Sequence, residues 1–303
     1  MNNRTASVTI PLMRSKLFVP GSRPELFDKA FISNADAISI DLEDAVPEAS
    51  KANARLDVVR FLGSTVRTSE KSIVIRINQL RSPYFEADLE ALVGLDFDII
   101  NLPKAESAAD IAALAELIEK LETQRDHCRP LRILANIESP RGLRSAADIA
   151  LASPRVMGLQ IGYGDLFEPL GIGRRHAGAL EHVQLAVRFA AAEAGIAAYD
   201  GAFPDIGDKK GFAEEARRAK ALGFQGKSCI HPVQVEAANE AFQPSGSEVA
   251  FSRKVVNAWR EAAIMGRGAI VVDGIMIDAP YAAKAEAVLM EAQRFEGVQG
   301  VDA

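Results

Sequence analysis

Acidic and basic side chains follow several short apolar runs of this sequence, close to the carboxyl end of each run. If the runs are strands of one parallel sheet, their carboxyl ends lie together and side chains from different strands converge there. Carboxylates, guanidinium groups and amines are the groups with which enzymes bind cations, bind anionic substrates and transfer protons. In chain order these residues are Asp41, Glu43, Asp44, Arg76, Asn78, Lys104, Glu138, Gly164, Asp165, Asp200 and His231.

Glu138 and Asp165 are a candidate metal pair, because they end adjacent runs and lie 27 residues apart. Two carboxylates, completed by water and substrate, are a usual way for an enzyme to hold Mg²⁺. The structural alternative is that Glu138 caps the next helix or pairs with Arg141 or Arg144, and that Asp165 is an N-cap. Spacing does not decide between these interpretations.

Arg76 is charged within an otherwise apolar run, IVIRIN, which directs its guanidinium to the end of the strand. A guanidinium there matches a substrate carboxylate in shape and charge. The alternative is a salt bridge to Glu43 or Asp44 on the neighbouring run. The acids beside it are candidates for binding metal, ordering its waters or holding Arg76.

Lys104 raises a different mechanism, since a strand-end lysine with a lowered pKa forms Schiff bases with keto substrates. Its alternative is a lysine held by the same acids. His231 precedes Pro232 and is a candidate base or a structural hydrogen-bonding residue. The other histidines, His127, His176 and His182, give no zinc-site spacing, so a zinc hydrolase is disfavoured.

Eight apolar runs alternate with helix-like sequence, and their continuous apolar character is typical of parallel strands covered on both faces. Eight β/α repeats predict a TIM (β/α)8 barrel, and an open doubly wound sheet is the rival fold. The predicted runs are 16–21, 37–44, 72–78, 98–104, 132–139, 156–165, 196–203 and 226–232.

The helical segments carry recognisable ends. In residues 107–124, Ser107 is a predicted N-cap with Asp110 three residues later, and residues 179–195 end at a capping glycine. We expect the barrel domain to span 14–240. Residues 245–303 form a predicted C-terminal helical extension, with helices at 245–266 and 281–295 and a short apolar piece at 268–280.

Composition excludes several classes of protein. The chain has 303 residues, 48% hydrophobic and 25% charged, with a formal charge of −6, so nucleic acid is a poor partner. Cys128 and Cys229 support neither a disulfide framework nor a cysteine metal cage. The sequence lacks an apolar run of signal-peptide or membrane-span length, which predicts no membrane partner and a cytoplasmic protein.

The motifs at the strand ends resemble those of the HpcH/HpaI aldolase and citrate lyase family, most closely its citrate lyase beta subunit-like branch. The resemblance runs from about residue 14 to 290. It rests on RSKLFVPG, DAISIDLEDAVPEASKANAR, VIRIN, LPKAES, ANIESPRGL, IGYGDL, AYDGAFPDIGD, LGFQGKSCIHPVQV and GIMIDAP, in this order.

The resemblance implies a Mg²⁺-dependent TIM barrel that cleaves or forms a carbon–carbon bond in a 3-hydroxyacyl thioester such as a citryl, citramalyl, malyl or methylmalyl ester. The products are an oxo acid and an acetyl or propionyl thioester. Coenzyme A or an acyl carrier protein bears the thioester, and of the two we expect coenzyme A. The expected assembly is a homo-oligomer, either a trimer or a hexamer, to which the extension contributes both an interface and part of the active site.

Family roles fall on particular residues. Glu138 and Asp165 match the metal ligands, and Glu138 also lies against substrate. Arg76 matches the arginine for the substrate carboxylate, helped by backbone amides at Gly164 and Asp165. Asp278, in MIDAP, matches an aspartate that acts across a trimer interface as general acid or base. Glu43, Asp44 and Lys104 are expected to surround these groups.

Two positions depart from the family pattern: Gln184 replaces a common arginine, and Tyr163 stands in GYGD. We expect these changes to bear on the substrate or carrier. Lys51 and Arg55 match family positions and are candidates for contacting carrier phosphates, with surface salt bridges as the alternative. Two other functions stay open: a Schiff-base aldolase acting through Lys104, and a binding or partner subunit without catalysis.

Overall fold

The computed structural model describes residues 11–64, 71–125 and 129–299. Cys128 and His127 lie outside these residues. Within the described part, no helix is both long and apolar enough to cross a bilayer.

Eight parallel strands close into a barrel in chain order, with β1 pairing to both β2 and β8. The predicted fold is confirmed, and each predicted run coincides with one strand, although β1 begins one residue before its run. The strands are β1 (Ser15–Pro20), β2 (Ala37–Asp41), β3 (Ser72–Arg76), β4 (Ile99–Leu102), β5 (Arg132–Ile137), β6 (Val156–Ile161), β7 (Ala197–Asp200) and β8 (Gly226–Cys229).

Helices follow the strands and cover the outside of the barrel. Those of the barrel region are α1 (Phe27–Phe31), α2 (Lys51–Ser64), α3 (Phe85–Leu92), α4 (Ala108–Gln124), α5 (Pro140–Arg144), α6 (Ala146–Leu151), α7 (Tyr163–Phe167), α8 (Ala177–Glu193), α9 (Lys209–Ala221) and α10 (Val235–Phe242). Four single turns of 3-10 helix occupy Pro24–Leu26, Glu48–Ser50, Glu168–Leu170 and Pro232–Gln234.

The predicted helix ends have the expected causes. Ser107 caps α4, and its capping box with Asp110 is complete, since each side chain accepts from the other residue's backbone N–H. Gly195 follows α8 with φ of +67°, a conformation that glycine adopts without strain. The run predicted over 156–165 was too long: β6 ends at Ile161, and helix α7 begins at Tyr163.

Two apolar layers hold the barrel. A large cluster lies between strands and helices, while a smaller one takes residues from successive strands and fills the interior. Above that smaller layer the interior becomes polar, with Ser39, Asn101, Asn136 and Gln160 all buried. Because side chains alternate along a strand, these polar residues lead towards the carboxyl ends, where the predicted site residues lie.

Among the described residues, 243–299 form a second compact unit. It contains α11 (Gly246–Ile264), the antiparallel strands β9 (Ile270–Val272) and β10 (Ile275–Ile277), and α12 (Ala279–Gln299). The predicted apolar piece is thus a hairpin, whose two-residue turn, Asp273–Gly274, has positive φ at both positions. Val255, Val272 and Ile277 belong to its own small core.

Candidate active site

The carboxyl ends of β2 to β6 bring most of the predicted site residues together. Asp41 and Arg76 are the last residues of β2 and β3, Glu138 directly follows β5, and Lys104 lies two residues beyond β4. A cavity of about 270 Å³ opens at this end. It is lined by Gln79, Leu80, Arg81, Lys104, Glu106, Asp110, Glu138, Ser139 and Asp165.

Arg76 is held by acids from the neighbouring strand and its loop. Its Nε and Nη2 atoms donate to the two carboxylate oxygens of Asp41 at 2.7 and 2.6 Å. Its Nη1 lies 3.1 Å from Glu43 Oε2 and 3.9 Å from Asp44. The salt-bridge alternative is therefore present, and Asp41 is the main partner in this bidentate pair. The sequence placed Asp41 in the acidic cluster but did not indicate this pairing.

Lys104 is a charged lysine. Its Nζ lies 2.5 Å from Glu43, 3.3 Å from Asp44 and 3.9 Å from Asp165. Burial lowers the pKa of this ammonium, but the hydrogen bond to Glu43 and the surrounding carboxylates outweigh burial and raise the pKa above its ordinary value. A Schiff-base lysine needs a lowered pKa, so the surroundings of Lys104 favour the ion-pair alternative over an amine nucleophile.

Burial and the charges of Arg76 and Lys104 shift the pKa values of the neighbouring acids, Glu43 and Asp44. Burial raises the pKa of Glu43, despite the opposing charges of Arg76 and Lys104. Burial acts in the same direction on Asp44, but Arg76 and Lys104 prevail there and hold the pKa of that carboxyl below its usual value. The cluster thus keeps Asp44 ionised more firmly than Glu43.

Glu138 is almost fully buried beneath the cavity. Its Oε1 accepts a 2.6 Å hydrogen bond from the Lys104 backbone N–H, and Asn136 Nδ2 lies 3.4 Å from its Oε2. Burial, with some help from Glu43 and Asp165, raises the pKa of Glu138 to about 7. A Cβ at Gly162 would lie 2.1 Å from Oε2, so only glycine leaves room for this carboxylate.

The structural alternative for Glu138 is wrong. Ser139 caps α5 by accepting from Gly142 N at 3.0 Å, and Arg141 lies 3.9 Å from Glu106. The corresponding alternative for Asp165 is also wrong, because Asp165 lies inside the first turn of α7 rather than at its cap. Its side chain is 43% exposed at the cavity.

Gly164 lies in the same turn and is exposed, and a Cβ added there would meet no atom within 4 Å beyond its chain neighbours and the helix backbone. Within 11–64, 71–125 and 129–299, no group of three or more His, Cys, Asp or Glu side chains is placed to hold a metal ion. Four acids line the cavity: the predicted pair, Glu138 and Asp165, and also Glu106 and Asp110.

Three strand-end residues lie elsewhere. Asp200 is buried and accepts from Lys227 Nζ at 2.6 Å. Asn78 is buried against Asp88, to which its Nδ2 donates at 2.7 Å. His231 is exposed and its Nδ1 accepts from Val233 N at 3.3 Å, so its observed role is the structural one.

Both departures from the family pattern converge on Asp200. Tyr163 Oη donates to its Oδ1 at 2.6 Å, and Gln184 Nε2 donates to the same oxygen at 3.2 Å. The Arg174 guanidinium lies 4.2 Å from the Tyr163 ring centre. Tyr163 and Gln184 are both buried, and neither is among the residues that line the cavity.

The predicted phosphate-binding residues already have protein partners. Lys51 Nζ donates to the carbonyls of Leu42 and Glu43 at 2.9 and 3.0 Å. Arg55 Nε donates to Asp88 at 2.7 Å. These contacts hold the β2–α2 loop and α2 in place; Arg55 forms a salt bridge, as the alternative has it, but the pair is largely buried rather than on the surface.

Asp278 belongs to the second unit and lies just before α12. Its Oδ1 accepts from Tyr281 N at 3.4 Å. The sequence did not single out Glu106, Asp110 or Arg81 as cavity residues. Glu106 and Asp110 belong to the loop and first turn beyond Lys104, and their signal was only that acids recur after β4.

Comparisons with known proteins agree on the family. The model of the HpcH/HpaI aldolase/citrate lyase family matches residues 14–232. The L-malyl-CoA/beta-methylmalyl-CoA lyase of Cereibacter sphaeroides is 35% identical, covering 92% of this chain and 94% of that protein. The citrate lyase subunit beta of Leuconostoc mesenteroides is 36% identical, with 92% of each chain covered.

Among solved structures, protein CitE of Mycobacterium tuberculosis in complex with magnesium, acetoacetate and coenzyme A is similar at a TM-score of 0.76. It has 37% sequence identity, covering 92% of this chain and 97% of that one. The citrate lyase beta subunit of the same organism, complexed with oxaloacetate and magnesium, has a TM-score of 0.66 and 36% identity over 77% of this chain and 98% of that one. The barrel, the strand-end acids and these matches together show that the chain belongs to the HpcH/HpaI aldolase/citrate lyase family.

Proposed function

We propose that this protein is a Mg²⁺-dependent carbon–carbon lyase that cleaves, or in reverse forms, a 3-hydroxyacyl thioester. The observation that carries the proposal is the pair of carboxylates, Glu138 and Asp165, that line one cavity at the carboxyl end of a barrel of this family. Relatives named as malyl-CoA lyase and citrate lyase beta subunit, and solved relatives with magnesium and oxo acids, support the reaction class.

The residues present fit a magnesium ion. Mg²⁺ prefers a few carboxylate oxygens and keeps positions for water and substrate, which suits two carboxylates beside an open cavity. The raised pKa of Glu138 is further support, because a buried carboxylate beside other acids is stabilised in its ionised form by a nearby cation. We assign Glu138 and Asp165 to the ion. When bound, it would polarise the oxygen that becomes the carbonyl of the oxo acid.

Cleavage of the thioester is a reverse aldol reaction. The hydroxyl proton passes to water in the cavity, the hydroxyl oxygen becomes the carbonyl oxygen of the oxo acid as the carbon–carbon bond breaks, and the electron pair of that bond passes to the carbon next to the thioester, which then takes a proton. We assign the substrate carboxylate to Arg76, with the Gly164 and Asp165 amides beside it. Asp41 fixes two nitrogens of Arg76, so an incoming carboxylate takes the place of Glu43 at Nη1.

Asp278 is proposed to give and take the proton on that carbon. Supporting observations are its position before α12, with a partly exposed carboxylate, and the exposed apolar side chains of its own unit, Val271, Met276 and Tyr281. Exposed apolar surface marks interaction sites. We therefore propose a homotrimer, or a hexamer of such trimers, in which the 245–303 extension lies at an interface and supplies Asp278 to a partner's barrel.

Coenzyme A is the proposed carrier, and the cytoplasm the proposed location. The solved relative that contains coenzyme A supports the first, and the buried free thiol of Cys229 suits the second. Light scattering on the purified protein tests the assembly, and a monomer would contradict it. Cell fractionation tests the location.

The decisive experiment is a panel of citramalyl-, malyl-, methylmalyl- and citryl-CoA, assayed with Mg²⁺ for release of the oxo acid. We expect one ester to be cleaved, EDTA to abolish the release, and Glu138→Ala to be inactive. Parallel esters on an acyl carrier protein separate the two carriers. Full activity after chelation, or in Glu138→Ala, would contradict the metal role, and no cleavage of any ester would contradict the reaction.

A further inference from the structure

A line of buried polar side chains runs through the barrel to Glu138. It begins at Lys16 in β1, which is 2% exposed and whose Nζ lies 3.3 Å from Asn101 Oδ1. Asn101 Nδ2 donates to Asn136 Oδ1 at 2.7 Å, and Asn136 Nδ2 approaches Glu138 Oε2 at 3.4 Å. The three residues come from β1, β4 and β5, so the line crosses the interior below the cavity.

The line has one direction. The Leu134 carbonyl can only accept, so the atom of Asn101 that faces it is the amide nitrogen, and the atom that faces Lys16 is the oxygen. The amide nitrogen of Asn101 then faces away, where it donates both to Asn136 and to the carbonyl of Leu134 at 3.0 Å. The Asn136 oxygen is thereby occupied, and its own N–H groups are left for Glu138.

Both oxygens of Glu138 consequently meet a protein donor. The Lys104 backbone N–H binds Oε1 and Asn136 approaches Oε2, which fixes the plane of the carboxylate and leaves the remaining lone pairs to the cavity. Hydrogen bonds of this kind orient metal ligands, and their loss typically weakens metal affinity by about 10–100-fold.

We propose that Lys16, Asn101 and Asn136 are positioning residues that hold Glu138 ready for the divalent cation. This inference rests on the proposed function, because it takes Glu138 as a metal ligand. Burial and the nearby Arg76 lower the pKa of Lys16 well below its ordinary value, which shows that this interior position disfavours a charged side chain. A buried amine retained in the interior is consistent with a role in ordering the two amides.

The test is the affinity of the full-length protein for Mn²⁺, measured by electron paramagnetic resonance, in Lys16→Met, Asn101→Leu and the double variant. Methionine removes the donor but keeps most of the volume; because Asn101 Oδ1 then loses its donor, circular dichroism and urea unfolding first confirm that each variant is folded. We expect each single variant to bind Mn²⁺ about tenfold more weakly. The double variant should bind Mn²⁺ no more weakly than the single variant with the lower affinity, because both substitutions interrupt the same line of hydrogen bonds.

The sign of the Lys16→Met effect separates this proposal from simple electrostatics. Loss of any positive charge at Lys16 would strengthen cation binding by Coulomb's law, whereas loss of the ordered amides would weaken it. Activity should follow the metal: kcat at saturating Mg²⁺ should stay near that of the wild type while the Mg²⁺ concentration needed for half-activation rises. A purely structural defect would lower kcat at every Mg²⁺ concentration.

Ser228→Ala is the matched control. Ser228 pairs with Lys16 in the β1–β8 register, and its hydroxyl has no hydrogen-bond partner among the described residues, so this variant should bind Mn²⁺ like the wild type. Unchanged or tighter Mn²⁺ binding in Lys16→Met, or additive losses in the double variant, would overturn the proposal. Glu138→Ala tests the proposed function separately: if it too binds Mn²⁺ normally, the metal assignment has failed.

Discussion

The Lys104 backbone N–H donates a 2.6 Å hydrogen bond to Glu138 Oε1 from a residue in the left-handed conformation, with φ of +51°. Non-glycine residues adopt this conformation at a cost of about 1–2 kcal/mol. The turn after β4 therefore carries backbone strain where it presents an amide to the proposed metal ligand, a place where strain commonly marks function.

That strain can be measured by comparing Lys104→Gly with Lys104→Ala. Both variants lose the ammonium and keep the backbone N–H, but only glycine adopts positive φ freely. We expect Lys104→Gly to unfold in urea with a free energy about 1 kcal/mol higher than that of Lys104→Ala. Equal free energies of unfolding would show that the turn is not strained at this position.

Gly162→Ala should displace Glu138, because the added methyl would lie 2.1 Å from Oε2 and 2.6 Å from the Glu138 Cβ. We expect Mn²⁺ binding to weaken by at least about tenfold and lyase activity to fall with it. The matched control is Gly164→Ala, whose methyl meets no atom within 4 Å outside its own local backbone. If both variants bind Mn²⁺ alike, the close approach of Gly162 does not position the carboxylate.

The raised pKa of Glu138 predicts a pH effect on stability without metal. In the unfolded chain this group loses its proton near its ordinary pKa of about 4.3, and in the folded protein near 7. Between these values the folded state binds more protons, so stability from this group falls as pH rises and reaches its low value above pH 7.

Glu138→Gln, which stays neutral at every pH, isolates this effect. The difference in unfolding free energy, variant minus wild type, should grow between about pH 4 and pH 7, by up to about 4 kcal/mol, and then level off. Urea unfolding in EDTA at several pH values measures it. A difference that is constant, or that shrinks as pH rises, contradicts the raised pKa.

Asp278→Asn should separate proton transfer from metal binding. We expect kcat to fall by about 10²–10⁴-fold, as for loss of a general acid or base, while Mn²⁺ affinity stays that of the wild type. Weakened Mn²⁺ binding would instead mean that Asp278 helps to form the metal site.

Mixing variants tests whether Asp278 serves a partner's barrel. Asp278→Asn and Glu138→Ala chains, each inactive, are co-expressed with different tags and purified as mixed oligomers. If the site is shared between subunits, some sites receive both native residues and activity returns. Mixed oligomers without activity would place both residues of one site in the same chain.

The sequence predicted the strand ends well, for a physical reason. Continuous apolar runs are buried on both faces in a parallel barrel, so the first charged residues after them, such as Arg76 and Glu138, have to lie at the carboxyl ends. The alternation of eight such runs made the closed fold predictable. The structure then brought Glu138, Lys104 and Asp165 to one cavity, as the strand order requires.

Other features depend on three-dimensional pairing that spacing does not encode. The Asp41–Arg76 pair arises because the two residues are register partners across β2 and β3. Lys16 reads in the sequence as the start of a strand, and only barrel closure places it opposite Asn101. Asp200 and His231 end strands as expected, but Asp200 is directed to Lys227 and His231 to a helix cap, away from the cavity.

Tyr163 and Gln184 are 21 positions apart in the chain, yet they are coupled, because a single carboxylate oxygen of Asp200 accepts a hydrogen bond from each. A change of either residue removes one of these two hydrogen bonds, and the other residue then donates to a carboxylate oxygen that has lost a donor. We therefore expect that an exchange of these two residues for those of a relative keeps the fold only when both are changed together, along with the residues that face Asp200.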